Sequence, residues 1–167
     1  AIDLPREVKD ELANAQRQLS STAAAKMSLA HDFHLTLKFL GEITPVKTEV
    51  VKGCLSNVKF KGFTAAVSGI GVFPSENYVR VVWIGVEPED EVLKLQKLVA
   101  DALEKEFSKD KSFKPHLSLA RVKVVADKKQ FAQQLRQIKV KIKNVKFQVD
   151  SFKLKRSTLS RGGAVYD

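Results

Sequence analysis

Apolar residues recur along this chain with two periods, near 3.6 and 2, and the switching between them predicts its helices and strands. Val8, Leu12, Ala15 and Leu19 follow at spacings of 4, 3 and 4, so a helix is predicted over 6–19, started by Pro5 and closed by Ser20, Ser21 and Thr22. A second helix opens at Thr44-Pro45 with Val46, Val50, Val51, Cys54, Leu55 and Val58 as its inward stripe. A third follows Pro88 and turns Val92, Leu95, Val99, Ala102 and Leu103 inward. The fourth starts from the capping pair Asp127 and Gln130 and carries Phe131 and Leu135. Strands are predicted at 1–4, near 26–29, from His34 to Gly41, from His116 on, within 139–155 and at 164–167. The stretches 63–73 and 78–86 flank the turn-forming Pro74-Ser75-Glu76-Asn77 and read as a hairpin.

Helices mixed with a hairpin and neighbouring strands predict antiparallel or mixed sheets in an α+β fold, not a doubly wound parallel one. No linker or low-complexity segment interrupts residues 1–167, enough for one compact domain or for two small lobes sharing one core.

Within this pattern one phrase occurs twice. Residues 34–42 read HLTLKFLGE and residues 116–121 read HLSLAR. Alternation sets His34, Thr36 and Lys38 on one face of a strand and Leu35, Leu37 and Phe39 on the other, where Phe39 is expected in the core. The two histidines lie 82 positions apart, about half the chain, which suggests an internal duplication whose halves each give one strand to a shared cleft. Two imidazoles near their ordinary pKa can hold opposite protonation states at neutral pH. One then takes a proton from an attacking oxygen while the other gives one to the departing oxygen, as in-line displacement at phosphorus requires. The hydroxyls of Thr36 and Ser118 would face the same cleft and bind phosphoryl oxygens. Arg121 offers a fork suited to phosphate, but strict alternation puts it on the face opposite His116, so its use requires a bulge or the end of the strand.

A single His-x-Thr pair is common on solvated strand faces. Its doubling in a chain with only three histidines is what argues for chemistry. His31 stands outside the repeat and is read as structural or exposed. A metal site built on His31 and His34 has poor spacing, with only Asp32 and Glu42 as nearby acids, so no metal is expected. No Walker loop is present.

Charge adds a partner to this picture. Lysine and arginine number 29 against 19 acids, a net charge of +10, which attracts polyanions such as RNA or nucleotides. From Lys139 to Arg161 there are eight basic residues and one acid, Asp150, which reads equally as a wet sheet face or as an RNA-guiding surface. Arg80 and Arg156 have the same two readings, surface charge or phosphate contact. Trp83 is core or a base-stacking platform. Cys54, the single cysteine, excludes an internal disulfide, reads as packing and favours a reducing, cytoplasmic setting. No apolar run approaches a membrane span.

HLTLKFLGE and HLSLAR, with AIDLP at the start, resemble the 2H phosphoesterase superfamily, and within it the archaeal RNA 2′,3′-cyclic phosphodiesterases, also called 2′-5′ RNA ligases. The resemblance implies a bilobal α+β fold with two antiparallel sheets, helices outside, pseudo-twofold symmetry and a metal-free central cleft that needs no cofactor. It implies an enzyme that opens a 2′,3′-cyclic phosphate on an RNA end to a 2′-phosphate, with the reverse joining of tRNA halves through a 2′-5′ linkage as a side activity; a monomer is expected. His34 matches the proton donor to the leaving 3′ oxygen and His116 the base that activates water. Thr36 and Ser118 match the phosphate-binding hydroxyls, and Arg121 the arginine after the second motif. Ser118 stands where threonine is commoner, which keeps the hydroxyl. Against the resemblance the chain starts and stops inside strands, as expected of a trimmed form.

Overall fold

Helix α1 (Arg6–Leu19) forms where the 4-3-4 spacing puts it, and its whole stripe of Val8, Leu12, Ala15 and Leu19 is buried. The computed structural model describes residues 1–110, 112–160 and 163–166. Four helices and nine strands are formed among them, in the order β1 (Ile2–Asp3), α1, β2 (Ala25–Leu29), β3 (His34–Leu35), α2 (Pro45–Ser56), β4 (Phe63–Ser75), β5 (Tyr78–Glu87), α3 (Glu89–Ala102), β6 (His116–Val125), α4 (Lys128–Lys141), β7 (Lys146–Val149), β8 (Ser157–Ser160) and β9 (Gly163–Tyr166). Every ladder is antiparallel. The fold is α+β.

Five strands make one sheet in the order β2-β6-β5-β4-β7, with the β4–β5 hairpin turning at Glu76-Asn77. Two shorter ladders accompany it, β1 with β3 and β8 with β9. Helices α1 and α4 pack on each other and on β6 and β4, so they cover one face of the large sheet. Leu117, Leu119, Val82 and Ile84 of that sheet are buried, as are Phe131 and Ile138 of α4. Burying one such aliphatic side chain contributes about 1.5–3 kcal/mol, so this layer supplies much of the driving force for folding.

The two halves repeat with a constant offset. β3 and β6 begin at residues 34 and 116, α1 and α3 at 6 and 89, α2 and α4 at 45 and 128, shifts of 82 or 83 positions. Packing then crosses the halves: α1 lies on α4, and α2 on α3. A hydrophobic face left open by one half is covered by the other.

Several expectations are corrected. The strand predicted from His34 to Gly41 pairs only at His34 and Leu35. Its register sets Leu35 opposite Ile2, so Thr36 would face Ala1 and later residues have no ladder partner. Burial still alternates through Leu35 and Leu37, but Phe39 is 74% exposed rather than core. Lys38, expected on the open face, is buried because its Nζ donates to the Ser108 carbonyl and to Asp110, each at 3.0 Å. In α2 only Val51 is fully buried, and Val46 and Val50 are exposed. Lys47 takes that face instead, pairing with Glu106 and lying 5.4 Å from the Phe107 ring. Within 139–155, residues 139–141 end α4 and only Lys146–Val149 form a strand. Of the predicted turn 160–163, Arg161 and Gly162 lie outside the described residues, as does Asp167 of the last strand.

Candidate active site

The two histidine strands meet because three hydrogen bonds tie them. β3 packs against β6. The Ala30 N–H donates to the Leu119 carbonyl at 2.8 Å. Gln16 of α1, itself buried, donates from Nε2 to that same carbonyl at 2.7 Å and to the Ala30 carbonyl at 2.8 Å. One amide therefore spans the approach to His34 and the strand of His116. An amide buried on a largely apolar helix stripe is costly unless satisfied, and this one is satisfied twice.

Leu119 is also where Arg121 changes face. Ser118 lies opposite Trp83 in the ladder and Ala120 opposite Val82, so Leu119 is an extra residue, a β-bulge. Leu119 and Ala120 are both buried, and the more open positions become His116, Ser118 and then Arg121. The bulge brings Arg121 to the face that carries His116 and Ser118. Gln16 occupies the carbonyl of the bulged residue.

His34 sits in a charged setting. Its side chain is one-tenth exposed and its Nδ1 lies 3.5 Å from Asp32 Oδ2, an ion-pair distance rather than a tight hydrogen bond. Lys155 Nζ lies 3.4 Å from the same Asp32 oxygen and 2.7 Å from Asp3 Oδ1, while Lys153 reaches Asp3 Oδ2 at 2.7 Å. Asp3 is the ladder partner of His34, so β1 delivers the acid that anchors this chain of charges. Hydrogen bonds from Lys153 and Lys155 hold the Asp3 carboxyl down at about 2. Burial lowers the His34 pKa below its ordinary 6.5, Asp32 works against that, and Lys155 adds to it. The Tyr166 ring meets the imidazole edge-on at 4.5 Å.

His116 sits in a neutral, aromatic setting. Its Nδ1 is 2.8 Å from the Lys114 carbonyl. A carbonyl only accepts, so this nitrogen carries a proton, and in the neutral ring the lone pair is on Nε2. Phe73 lies edge-on at 5.0 Å and Trp83 at 6.2 Å. Trp83 stacks over Gly71, where a Cβ would fall 2.2 Å from the indole, so only glycine leaves room for the ring. The sequence left Trp83 between core and platform, and the structure sets it half-buried beside His116 with Lys114 Nζ 5.3 Å from its ring.

Thr36 is half-buried two residues past His34, and Ser118 is exposed two residues past His116. His31 is exposed in the bend before β3, and Cys54 is packed against the core. Among the described residues no group of three His, Cys, Asp or Glu side chains converges as a metal site would. Sequence reasoning missed Gln16, Asp3, Lys155 and Phe73. Of these only Gln16 had a signal, as a polar residue within a buried helical stripe.

Duplicated histidine strands on an antiparallel α+β scaffold define a phosphoesterase architecture, and the comparisons bear on it directly. The chain belongs to the family described as LigT like Phosphoesterase, which matches it twice, over residues 2–83 and 84–166. Each match carries one histidine motif. Two relatives are each called RNA 2′,3′-cyclic phosphodiesterase. That of Archaeoglobus fulgidus is 33% identical over 99% of this chain and 93% of its own length. The protein of Methanocaldococcus jannaschii is 29% identical over 100% and 94%. The crystal structure of TT0787 of Thermus thermophilus superposes with a TM-score of 0.78 at 29% identity, covering 100% of this chain and 91% of that one. None of the described helices is long and apolar enough to cross a membrane.

Proposed function

We propose that this protein is an RNA 2′,3′-cyclic phosphodiesterase, a phosphoric diester hydrolase that converts a cyclic phosphate end to a 2′-phosphate. The observation that carries the reading is the unlike pair of histidines, one beside a carboxylate and one on a carbonyl, held on adjoining strands. His116 Nε2, unprotonated, removes a proton from water as its oxygen attacks phosphorus. The bond from phosphorus to the 3′ oxygen breaks, and protonated His34 supplies the proton that the 3′ oxygen takes up. Asp32 steadies the imidazolium form. Thr36, Ser118 and Arg121 bind the non-bridging oxygens as charge builds on them. Neither a metal nor a cofactor enters this scheme. With an RNA 5′-hydroxyl end in place of water and a 2′,3′-cyclic partner such as tRNA halves, the same proton transfers form the bond from the 5′ oxygen to phosphorus, break the bond to the 3′ oxygen and give a 2′-5′ linkage. Trp83 and Phe73 support a nucleoside at the site by offering an aromatic surface. Residues 1–167 act as a single bilobal domain, since the Gln16 bridge and the crossed helix pairs join the halves, and work as a monomer in a reducing, cytoplasmic compartment.

The experiment is end analysis of an oligonucleotide with a 2′,3′-cyclic terminus, with and without a 5′-hydroxyl acceptor. A 2′-phosphate product formed equally with chelator is expected. A 3′-phosphate product, or an intact cyclic end, overturns the reading.

A further inference from the structure

A second concavity lies at the hairpin end of the large sheet, and neither His116 nor Ser118 lines it. It is bounded by the tip of the β4–β5 hairpin, the far end of β6 and α4, and encloses about 430 Å³. Its floor is apolar, with Ile70, Val72, Val124 and Leu135. Val124 stands at a second irregularity in β6: Val122 pairs with Met27 and Val124 with Lys26, so Lys123 is skipped and Val124 comes to the same side of the strand as Arg121. Val124 is thereby 55% exposed, an apolar side chain open to solvent on the floor of a groove.

The rim is cationic. Arg80, Lys123, Lys128, Arg136 and Lys139 line it against one acid, Glu76. Lys123, Lys128, Arg136 and Lys139 have no hydrogen bond or ion pair from their side chains among the described residues. Lys47, Lys52, Lys94 and Lys97 each meet a carboxylate instead. Four unanswered cations around one groove raise the local potential, and a polyanion relieves it.

The spacing selects the kind of polyanion. Lys128 to Lys139 spans eleven residues of α4, roughly 16 Å at the helical rise. Charges strung over that length suit repeated phosphates better than one small anion. A recessed floor does not suit a flat lipid surface, whereas it admits a base between phosphates held at the rim. The groove also begins next to Arg121 along β6. Arg121 and Lys123 are two residues apart, about 7 Å along the strand, so a chain leaving the cleft past Arg121 meets Lys123 next.

We propose that this groove holds the body of the RNA substrate, a single-stranded stretch on the 5′ side of the cyclic end, with phosphates on the cationic rim and a base on the floor. The proposal rests on the phosphodiesterase reading of the histidine cleft, so its test separates the two. Hydrolysis of a 2′,3′-cyclic mononucleotide reports on the cleft alone, and hydrolysis of a ten-nucleotide RNA with the same end reports on both. Anisotropy of a labelled RNA ending in a 3′-hydroxyl reports on the groove without chemistry.

In the double variant Lys123→Gln, Arg136→Gln, two lost phosphate contacts should flatten the log–log salt dependence of RNA binding by about 1.4, which is roughly 25-fold weaker binding at 0.1 M salt and none lost near 1 M. KM for the long substrate rises in parallel, and kinetics on the mononucleotide stay unchanged. Val124→Glu, which sets a carboxylate on the floor, should reproduce the loss without removing a cation. Unchanged RNA binding in both variants overturns the proposal, as does equal loss on long and short substrates. Binding of the wild type to anionic vesicles but not to RNA overturns it in favour of a lipid surface. A wild type that binds RNA in the groove yet leaves the mononucleotide intact would sink the catalytic reading and keep the groove.

Discussion

His34 and His116 occupy matching places in the two halves, yet the protein surrounds them differently. One stands in a line of alternating charges, Lys153–Asp3–Lys155–Asp32, and the other between two aromatic rings on a backbone carbonyl. Duplication supplied two equivalent strands, and the surroundings divided the labour. Burial disfavours the His34 imidazolium, and the carboxylate beside Nδ1 works against that loss of the proton an acid needs. A carbonyl on Nδ1 sets the tautomer of the neutral ring so that Nε2 is the free nitrogen, which a base needs. The lesson is that the motif specifies the imidazole, while its proton is set by residues outside the motif.

The sharpest way to break this comparison is to remove each ring and change the leaving group. His34→Ala and His116→Ala should each lower kcat on a cyclic RNA end by roughly 10²- to 10⁴-fold, the usual worth of positioned proton transfer. The two then part company on an aryl phosphodiester, whose leaving group needs no proton. His34→Ala should recover most of its activity there and His116→Ala none. Recovery in the other variant would reverse the roles, and equal loss in both would end the division.

Gln16 tests whether the pair must be held in register. Gln16→Leu keeps the volume and leaves the Ala30 carbonyl without its donor, which costs about 1–3 kcal/mol of stability. With the histidine strands free to separate slightly, kcat should fall about tenfold or more while KM for the mononucleotide changes little. A purely structural role predicts a lower melting temperature with normal kcat at 25 °C. Gln16→Glu, which turns carboxylate oxygens toward two carbonyls, should be worse than leucine on both counts.

Much of this was legible in the sequence, and the failures have one physical cause. Helix α1 was readable because four spaced apolar residues meet one continuous surface. Thr44 and Asp127 were readable as caps because the cap bond is local, and each accepts the amide three residues on. The repeat of His34 and His116 was readable because chemistry demanded the same residue twice. Phe39 and Val46 were misread because their burial depends on a partner distant in sequence, and none covers them. Arg121 shows both sides. Alternation put it on the wrong face, and only the ladder to Trp83 and Val82 reveals the extra residue at Leu119. The groove beside α4 was unreadable for the same reason, since Arg80 and Lys139 stand nearly sixty positions apart.

The smallest expected effect sharpens the comparison most finely, because it moves one histidine's proton and leaves the other alone. An acid must carry its proton, so kcat/KM holds below the pKa of His34 in the free protein and falls above it. Burial lowers that pKa from 6.5, so the alkaline limb should lie on the acid side of 6.5. Lys155 lowers it further through its charge, and Lys155→Met should move the alkaline limb to higher pH. Asp32 raises it, and Asp32→Asn should move the limb to lower pH. In both variants the acid limb should stay in place, since neither side chain faces His116. If the acid limb moves instead, His34 is the base, and the charged line around it then serves to keep an imidazole neutral rather than to hold it protonated.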